Sequence, residues 1–295
     1  MARRLYRWYR ASARYFLGRP VTPLTRGFFR LLRLADRLTS RRRSTPRQVE
    51  ADRAWKAAYL TRYGTTPPYR LTAERPVALD SADHRKPRGA VLNNSRNHRF
   101  NVKLYDYFRR QPGLRVLDVG CAGGGFVRSI LEDGYEAIGI DGSDAAQRAG
   151  AGEWDTIPHH LFTADAREPF SFVDRAGDVV VFDCITAWEV LEHIPEDDLP
   201  ALLANVAANL ASVGLFVASI ATFPDGDPTT GAVYHVTVRE PVWWLGVLCA
   251  AGLEPLPDHP FDVEDYVRGH GRGVQDWDPA DGDGFHVVMR KARRA

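Results

Sequence analysis

From Gly113 onward, short apolar runs alternate with segments of helical pattern, and this alternation limits the possible folds more than any other feature of the chain. Apolar runs separated by helices are typical of a mostly parallel sheet with helices on both faces, so the sequence predicts an α/β fold. The predicted strands are "RVLDVG" (115–120), "EAIGID" (136–141), "HLFTAD" (160–165), "DVVVFDCI" (178–185), "GLFVASI" (214–220) and, after a long polar loop, "FHVVMRKA" (285–292).

Positive charge is concentrated at the start of the chain. The first 50 residues contain 14 Arg, one Asp and one Glu, a net charge of +12, whereas the whole chain carries +2, so the remainder carries −10. Two amphipathic stretches, 3–17 and 24–39, lie in this basic segment. We therefore divide the chain into a basic amphipathic helical arm (1–46), a helical and irregular cap region (47–112) and an α/β domain (113–295).

The arm places aromatic and leucine side chains on one face and arginines around them. This pattern favours an anionic membrane surface as the partner of residues 3–38. Attachment to nucleic acid and packing on the acidic body or a second subunit are the alternatives, and the lack of a recognisable RNA module counts against nucleic acid. Three widely spaced cysteines favour a reducing compartment. We expect a cytoplasmic protein, peripheral at the inner membrane face, and leave its oligomeric state open.

A glycine-rich turn, "VLDVGCAGGGF" (116–126), joins the first predicted strand of the domain to a helix. Such a turn lets the backbone approach a ligand closely at the carboxyl edge of the sheet. Ala122 stands where the second glycine of a dinucleotide fingerprint must admit a pyrophosphate, which argues against that reading. Asp118, near the end of the strand, suits a ligand that bears a positively charged amine.

This turn resembles motif I of the class I S-adenosylmethionine-dependent methyltransferases, with Ala122 in place of a usual glycine. The resemblance covers roughly 96–292 and implies a Rossmann-like, seven-stranded, mostly parallel sheet whose last strand is antiparallel. Asp141 in "GIDGSD" matches the acid that binds the cofactor ribose, and Asp165 in "TADARE" matches the position that reads the adenine amino group. The residues predicted to bind S-adenosyl-L-methionine are Asp118, Gly120, Ala122, Gly124, Asp141, Gly142, Asp165, Ala166 and Trp188, the last with a core role as its alternative.

Four aspartates, including Asp183 in the fourth predicted strand, are expected at strand ends in chain order. Directly after that strand comes "TAWEVLEHIP" (186–195), in which Glu189, Glu192 and His193 have the spacing of one helix face. This segment is similar to a metal-binding motif of small-RNA 2′-O-methyltransferases and ubiquinone-pathway O-methyltransferases. In the former a second histidine follows, and His235 in "YHVTVREPVWW" is placed comparably.

The similarity implies that Glu189, Glu192, His193 and His235 bind Mg²⁺ or Mn²⁺, with positions open for two adjacent acceptor oxygens. Two alternatives stay open. His193 and His235 are candidate catalytic residues without a metal, as bases or substrate contacts, and all four side chains have a purely structural alternative. Asn94, Arg96 and Asn97 are candidates either for acceptor contact or for capping a helix, and 258–284 is a candidate lid.

The expected function is S-adenosylmethionine-dependent O-methylation of a sugar, a glycan or another small hydroxylated acceptor. The second hypothesis is a metal-dependent RNA 2′-O-methyltransferase. The third is a non-catalytic, membrane-associated binding protein with a degenerate cofactor site.

Overall fold

The computed structural model describes residues 46–64, 66–262, 265–266 and 284–292. The predicted arm, except for residue 46, and most of the predicted lid (258–284) lie outside the described residues. The membrane contact of residues 3–38 therefore stays a prediction. Among the described helices, none combines the length and the apolar character that a membrane span requires.

Helices and strands alternate along the domain, as expected. The helices are α1 (Pro46–Tyr63), α2 (Ala82–Arg85), α3 (Gly89–Leu92), α4 (His98–Tyr107), α5 (Gly125–Glu132), α6 (Ala145–Ala149), α7 (Leu199–Asn209) and α8 (Pro241–Ala250). The strands are β1 (Tyr69–Ala73), β2 (Arg115–Val119), β3 (Glu136–Asp141), β4 (Leu161–Thr163), β5 (Phe170–Asp174), β6 (Val179–Val180), β7 (Phe182–Trp188), β8 (Leu210–Ala221), β9 (Gly226–Asp227), β10 (Ala232–Val233), β11 (Leu253–Pro255) and β12 (Gly284–Lys291).

The main sheet has seven strands in the order β11-β12-β8-β7-β2-β3-β4. β2 pairs in parallel with both β3 and β7, and β12 is antiparallel to its neighbours β8 and β11. The expected Rossmann-like sheet with an antiparallel last strand is confirmed. The chain runs outward from β2 through β3 to β4 and then returns to β7, so the strand order reverses beside β2. Ligand sites of open α/β sheets lie at such a reversal.

Both faces of the sheet are covered, which explains the nearly continuous apolar runs of its strands. Leu117 and Phe216 face a core that includes Leu203 of α7 and Trp244 of α8. Alternate residues face the other core, where helices α4 and α5 pack, for example through Phe100. Asp118 lies on this second face because it alternates with Leu117.

The bounds of the fourth predicted strand are wrong. Val179 and Val180 form β6, which pairs with β5 in a separate antiparallel sheet of order β1-β5-β6, and β7 starts at Phe182 and continues to Trp188. Asp183 therefore lies at the start of β7 rather than at a strand end, and its Oδ2 accepts a hydrogen bond from the N–H of Arg115 (2.9 Å). Its role is to join two strands at the edge opposite the glycine turn.

Residues 74–86, which we call the strap, cross the carboxyl edge of the sheet. The strap is held by backbone hydrogen bonds at both of its flanks: Glu74 N–H donates to Pro169 O (3.0 Å) and Ala78 N–H donates to Gly142 O (2.9 Å). Near its end, the Tyr234 hydroxyl donates to Lys86 O (3.0 Å). The predicted irregular part of the cap region is thus a fixed cover on the sheet edge.

Arg167 ties the strap to the domain through three carboxylates. Its guanidinium lies 2.5 Å from an oxygen of Asp80 on the strap, 2.7 Å from Asp165 after β4 and 3.0 Å from Asp198 before α7. The Arg167 side chain is 11% exposed and that of Asp165 is 2% exposed. Ion pairs that are this buried are costly to break from one side, because the remaining charge loses its compensation.

Replacing this guanidinium should therefore weaken the whole fold. We expect Arg167→Met to lower the free energy of unfolding by about 3 kcal/mol, since Asp165 keeps only Arg75 as its ion-pair partner among the described residues. Urea unfolding followed by circular dichroism measures the change. Arg148→Met is the matched control, because Arg148 is 64% exposed and pairs with Asp144, the residue before its own short helix; it should change stability by less than about 0.5 kcal/mol. Equal unfolding curves for the two variants would contradict the prediction.

Candidate active site

The glycine turn closes on β3 and on the cap region. Gly120 and Gly124 have φ angles of 75° and 77°. The N–H of Gly123 donates to Asn93 O (2.8 Å), and a Cβ at Gly123 would lie 2.4 Å from that oxygen. Ala122 also has a positive φ, 46°, which is uncommon for a residue with a side chain. The alanine thus adopts a left-handed backbone conformation that glycine adopts more readily.

Asp118 is a buried acid beside this turn. It is 3% exposed, and its Oδ1 accepts a hydrogen bond from the hydroxyl of Thr186 on β7 (2.7 Å). Burial raises the pKa of Asp118 to about 7, although the Thr186 hydrogen bond works in the opposite direction. A cationic ligand group beside this carboxylate would favour its ionised form and offset the cost of burial.

Asp141 fastens the end of β3 to the glycine turn. Its Oδ2 accepts a hydrogen bond from Ala122 N–H and its Oδ1 from Ser143 N–H, both at 2.8 Å. It is 7% exposed, and burial raises its pKa to about 6 against the effect of these two hydrogen bonds. Each carboxylate oxygen has a second acceptor direction, so the group can still receive hydroxyl donors. The strap lies over the next residue, Gly142, through Ala78.

Asp165 lies in an arginine network. Its Oδ1 accepts from Arg167 Nε (2.8 Å) and its Oδ2 from Arg167 Nη2 (2.7 Å) and Arg75 Nη1 (3.1 Å). Burial acts to raise the pKa of Asp165, but the Arg167 hydrogen bonds and charge lower it. β4 ends at Thr163, so Asp165 follows the strand by two residues, and Ala166 packs against the core. Adenine recognition by Asp165 and Ala166 stays a prediction.

Trp188, the last residue of β7, is part of an aromatic cluster below the glycine turn. Its ring is edge-on to Phe100 (5.0 Å between centroids) and to Phe126 (5.6 Å). Its Nε1 has no hydrogen-bond partner within the described residues. The core role is therefore observed, and a contact with the cofactor stays a prediction.

Asn94, Arg96 and Asn97 contact the protein itself. The Asn97 side chain accepts a hydrogen bond from Phe100 N–H and so caps α4. Asn94 and Arg96 both donate to Glu153, at 3.2 and 2.9 Å. Asn97 thus fits the capping alternative, and acceptor contact by Asn94 and Arg96 stays a prediction.

The segment after β7 does not form the predicted helix face. Glu189 has a φ of 57°, and its N–H donates to Ser219 O on β8 (2.9 Å). Leu191–His193 then make a single 3₁₀ turn. The i, i+3, i+4 pattern is therefore wrong as a helical face, because Glu189 leaves the strand in a left-handed conformation and lies outside the turn.

Glu192 is fully buried at this turn. Its Oε1 accepts a hydrogen bond from Ala221 N–H at the end of β8 (3.0 Å), whereas its Oε2 has no hydrogen-bond partner among the described residues. Burial, and then the charge of Glu189, raise the pKa of Glu192. A buried carboxylate oxygen without a partner is costly, so this position calls for a proton or a cation.

His193 and His235 meet beside Glu192. Their ring centroids are 4.9 Å apart and their planes are at 76°. His193 Nδ1 lies 2.7 Å from Asp83 Oδ2, and His235 Nδ1 lies 2.6 Å from Phe223 O. A carbonyl oxygen only accepts, so Nδ1 of His235 carries the proton and Nε2 keeps its lone pair.

The two imidazoles differ in the protonation state that their surroundings favour. Burial alone would lower the pKa of His193, but the charge and the hydrogen bond of Asp83 outweigh it and raise the pKa to about 9. Burial, and then the charge of His193, lower the pKa of His235. In the absence of a cation, a protonated His193 thus lies beside a neutral His235.

The structure brings together three of the four predicted metal ligands. One potential ligand atom each from Glu192, His193 and His235 lies within 4.8 Å of the others. In the described part of the chain, Glu189 is not a member of this group, although its charge acts on Glu192 and His235. We call Glu192, His193 and His235 the triad.

Two residues of the site were missed by the sequence analysis. Thr186 gives no signal of its own, because a threonine in a strand is ordinary. Asp83 lies 110 residues before His193, in a segment whose only local signal is a Ser81 cap for a short helix. Neither contact could be found without the paired strands and the strap.

The comparison with protein families identifies the domain that contains this site. A family model described as a methyltransferase domain matches residues 90–249, more than half of the 295-residue chain. This chain belongs to the methyltransferase domain family. The glycine turn, Asp118, Asp141 and the triad all lie inside the matched part of the methyltransferase domain, whereas Asp83 lies before it.

The methyltransferase domain also has named relatives. The ubiquinone biosynthesis O-methyltransferase of Alkalilimnicola ehrlichii is 34% identical over 185 residues, which cover 58% of this chain and 63% of the relative. The protein of the same name from Yersinia enterocolitica is 27% identical over 179 residues, which cover 58% and 64%. The match thus spans less than two thirds of the length of these curated relatives.

Solved structures with a similar fold include other methyltransferases. The TehB-like SAM-dependent methyltransferase of Corynebacterium glutamicum is 21% identical, with a TM-score of 0.42, and the match covers 65% of this chain and 87% of that one. The CcbJ methyltransferase of Streptomyces caelestis is 14% identical, with a TM-score of 0.45, and the match covers 72% and 96%.

The burial of Asp118 should lower the stability of the protein at neutral and alkaline pH, although the ionised carboxylate is the form that suits a cationic ligand. In the ligand-free protein its pKa is about 7, whereas in the unfolded chain it is about 3.9, so between these values the folded state holds a proton that the unfolded state does not. Stability therefore falls as pH rises from 4 to 7. Asp118→Asn removes this cost and should stabilise the ligand-free protein at pH 8 by on the order of 4 kcal/mol.

Urea unfolding at pH 5, 6.5 and 8 measures this effect. The gain should shrink as the pH approaches 4, because the unfolded wild-type chain then also holds a proton on this carboxyl group and folding no longer takes one up. A gain that is independent of pH, or a loss of stability at pH 8, would show that burial does not control this carboxylate.

Proposed function

We propose that this protein is an S-adenosyl-L-methionine-dependent methyltransferase that methylates an oxygen of a small hydroxylated acceptor. The observation that carries the proposal is the pair of buried carboxylates, Asp118 and Asp141, on either side of the glycine turn at the reversal of strand order. The family match supports methyl transfer. The named relatives are O-methyltransferases, which supports oxygen as the acceptor atom.

The residues of the glycine turn and the two strand ends would hold the methyl donor. Asp118 suits its ammonium group, and Asp141 suits the two hydroxyls of its ribose. S-adenosyl-L-methionine supplies a methyl group on a sulfonium, which is already a strong electrophile. The protein therefore has to orient the acceptor and exclude water. The strap and Asn93 would contribute by covering the edge of the sheet at which the methyl donor is proposed to bind.

The triad fits a divalent cation. Glu192 Oε2 is buried without a partner in the described residues, and both imidazoles are held through Nδ1, which leaves Nε2 as a ligand. Two nitrogen ligands favour Mn²⁺ over Mg²⁺, which prefers oxygen. Glu189, whose charge acts on the triad, is the candidate for a fourth ligand.

A divalent cation at the triad would lower the pKa of an acceptor hydroxyl. Without it, neutral His235 would be the base, because its Nε2 has a lone pair. Either way, we propose that the acceptor hydroxyl lies beside the triad. An acceptor with two adjacent oxygens, as in a sugar or a catechol, is the class that a cation with open positions would select. The RNA alternative shares the proposed metal ligands but relies on the arm for polymer binding, and the alternative of a membrane-associated binding protein also relies on the arm, which lies outside the described residues except for residue 46.

Donor binding tests the main proposal. We expect wild-type protein to bind S-adenosyl-L-methionine and its demethylated product S-adenosylhomocysteine in calorimetry. Asp141→Asn should weaken both by at least about tenfold, because it removes the charge that accepts the ribose hydroxyls. Asp106→Asn is the matched control, since Asp106 is 57% exposed and pairs only with Arg110 among the described residues. If the wild type binds neither compound, the methyltransferase proposal fails.

Metal removal tests the triad. We expect the wild type to bind one Mn²⁺ per chain, measured from the free Mn²⁺ signal in electron paramagnetic resonance, and turnover to vanish on chelation and return with Mn²⁺. Glu192→Gln should abolish the binding, because an amide replaces the carboxylate. Glu196→Gln, an exposed neighbour paired with Arg239, should behave as the wild type. Turnover that survives both chelation and Glu192→Gln would rule out the metal and leave His235 as the base.

A further inference from the structure

We propose that Asp83 is the positioning residue for His193, fixing its ring orientation and tautomer so that Nε2 serves the triad. The inference rests on the proposed metal site. It concerns a residue outside the matched part of the methyltransferase domain, because that match begins at residue 90.

The contact has the geometry of a charge-assisted hydrogen bond. Asp83 Oδ2 lies 2.7 Å from His193 Nδ1, and the two side chains are 25% and 22% exposed. The carboxylate can only accept, so Nδ1–H of His193 donates and Nε2 is the nitrogen left for a ligand. A carboxylate that accepts a hydrogen bond from one nitrogen of an imidazole also makes the other nitrogen a more basic metal ligand.

His235 is held through the same ring nitrogen as His193. Its Nδ1–H donates to Phe223 O, so both imidazoles are oriented through Nδ1. One partner is a carbonyl from the segment after β8 and the other is a carboxylate from the strap. A cation needs imidazoles whose rings are fixed in this way, and a bound cation would take the place of the proton on Nε2 of His193.

Asp83 is itself held firmly in place. Its N–H donates to Ser81 Oγ (3.2 Å) at the start of α2, and three residues earlier Asp80 pairs with Arg167. Three residues later, Lys86 O accepts from the hydroxyl of Tyr234, the neighbour of His235. The strap is thus anchored on both sides of Asp83, and the carboxylate is positioned before any ligand arrives.

The test compares Mn²⁺ affinity with donor affinity in the full chain. Asp83→Asn should weaken Mn²⁺ binding by about 10- to 100-fold, the usual effect of losing such a partner. Asp83→Glu should recover part of the loss, because it restores a carboxylate. Glu74→Gln, which changes an exposed acid at the start of the same strap, is the matched control and should change Mn²⁺ affinity by less than about twofold. In all three variants the affinity for S-adenosylhomocysteine should stay at the wild-type value, since the strap still covers Gly142.

The outcomes separate this inference from the proposals on which it rests. If the wild type binds Mn²⁺ and Asp83→Asn binds it equally well, the role of Asp83 is overturned and the metal site stands. If Asp83→Asn loses affinity for Mn²⁺ and for S-adenosylhomocysteine together, Asp83 supports the strap rather than His193, which also overturns the inference. If the wild type binds S-adenosylhomocysteine but no Mn²⁺, the metal site and the role of Asp83 fall together, and the methyltransferase proposal survives.

Discussion

The parallel pairing of β2 with both β3 and β7 is the constraint on which the site depends. Parallel strands end at the same edge, and the reversal of strand order beside β2 opens a crevice there. The pairing brings Asp118 opposite Thr186 and puts Asp141 within reach of Ala122. The same edge receives the turn that follows β7, so the glycine turn and the triad, which come from distant parts of the chain, become neighbours.

The acids of the site fall into two electrostatic classes. Asp165 and Glu153 are compensated by arginines, and burial is therefore tolerable for them. Asp118, Asp141 and Glu192 are just as buried, yet within the described residues none of them forms an ion pair, and each accepts only N–H or O–H donors. Carboxylates buried without an ion pair are costly to ionise, and groups of this kind cluster at sites that bind ligands.

Patterns that depend on local chemistry were readable from the sequence. The strand and helix alternation, the glycine turn with Asp118 and Asp141, and the meeting of Glu192, His193 and His235 at one sheet edge all follow from periodicity, strand polarity or a family resemblance. The predicted strand bounds around Asp183 are wrong, because "DVVVFDCI" has no internal break to show that its residues belong to two different sheets. The predicted helical face is wrong at Glu189, because residue spacing does not show that a residue adopts a left-handed backbone conformation. The Asp83 contact depends on the path of the strap, which no local pattern encodes.

The strap limits what can be inferred about the candidate site from the shared methyltransferase domain alone. The family match begins at residue 90, after the strap has ended, yet the strap lies on Gly142 and contacts His193. Two proteins that agree throughout the matched segment can therefore differ in the charge that faces this histidine. Divergence in a short upstream stretch can retune the chemistry while the sheet and the glycine turn stay unaltered. The recognisable domain and the candidate site therefore have different boundaries in this protein.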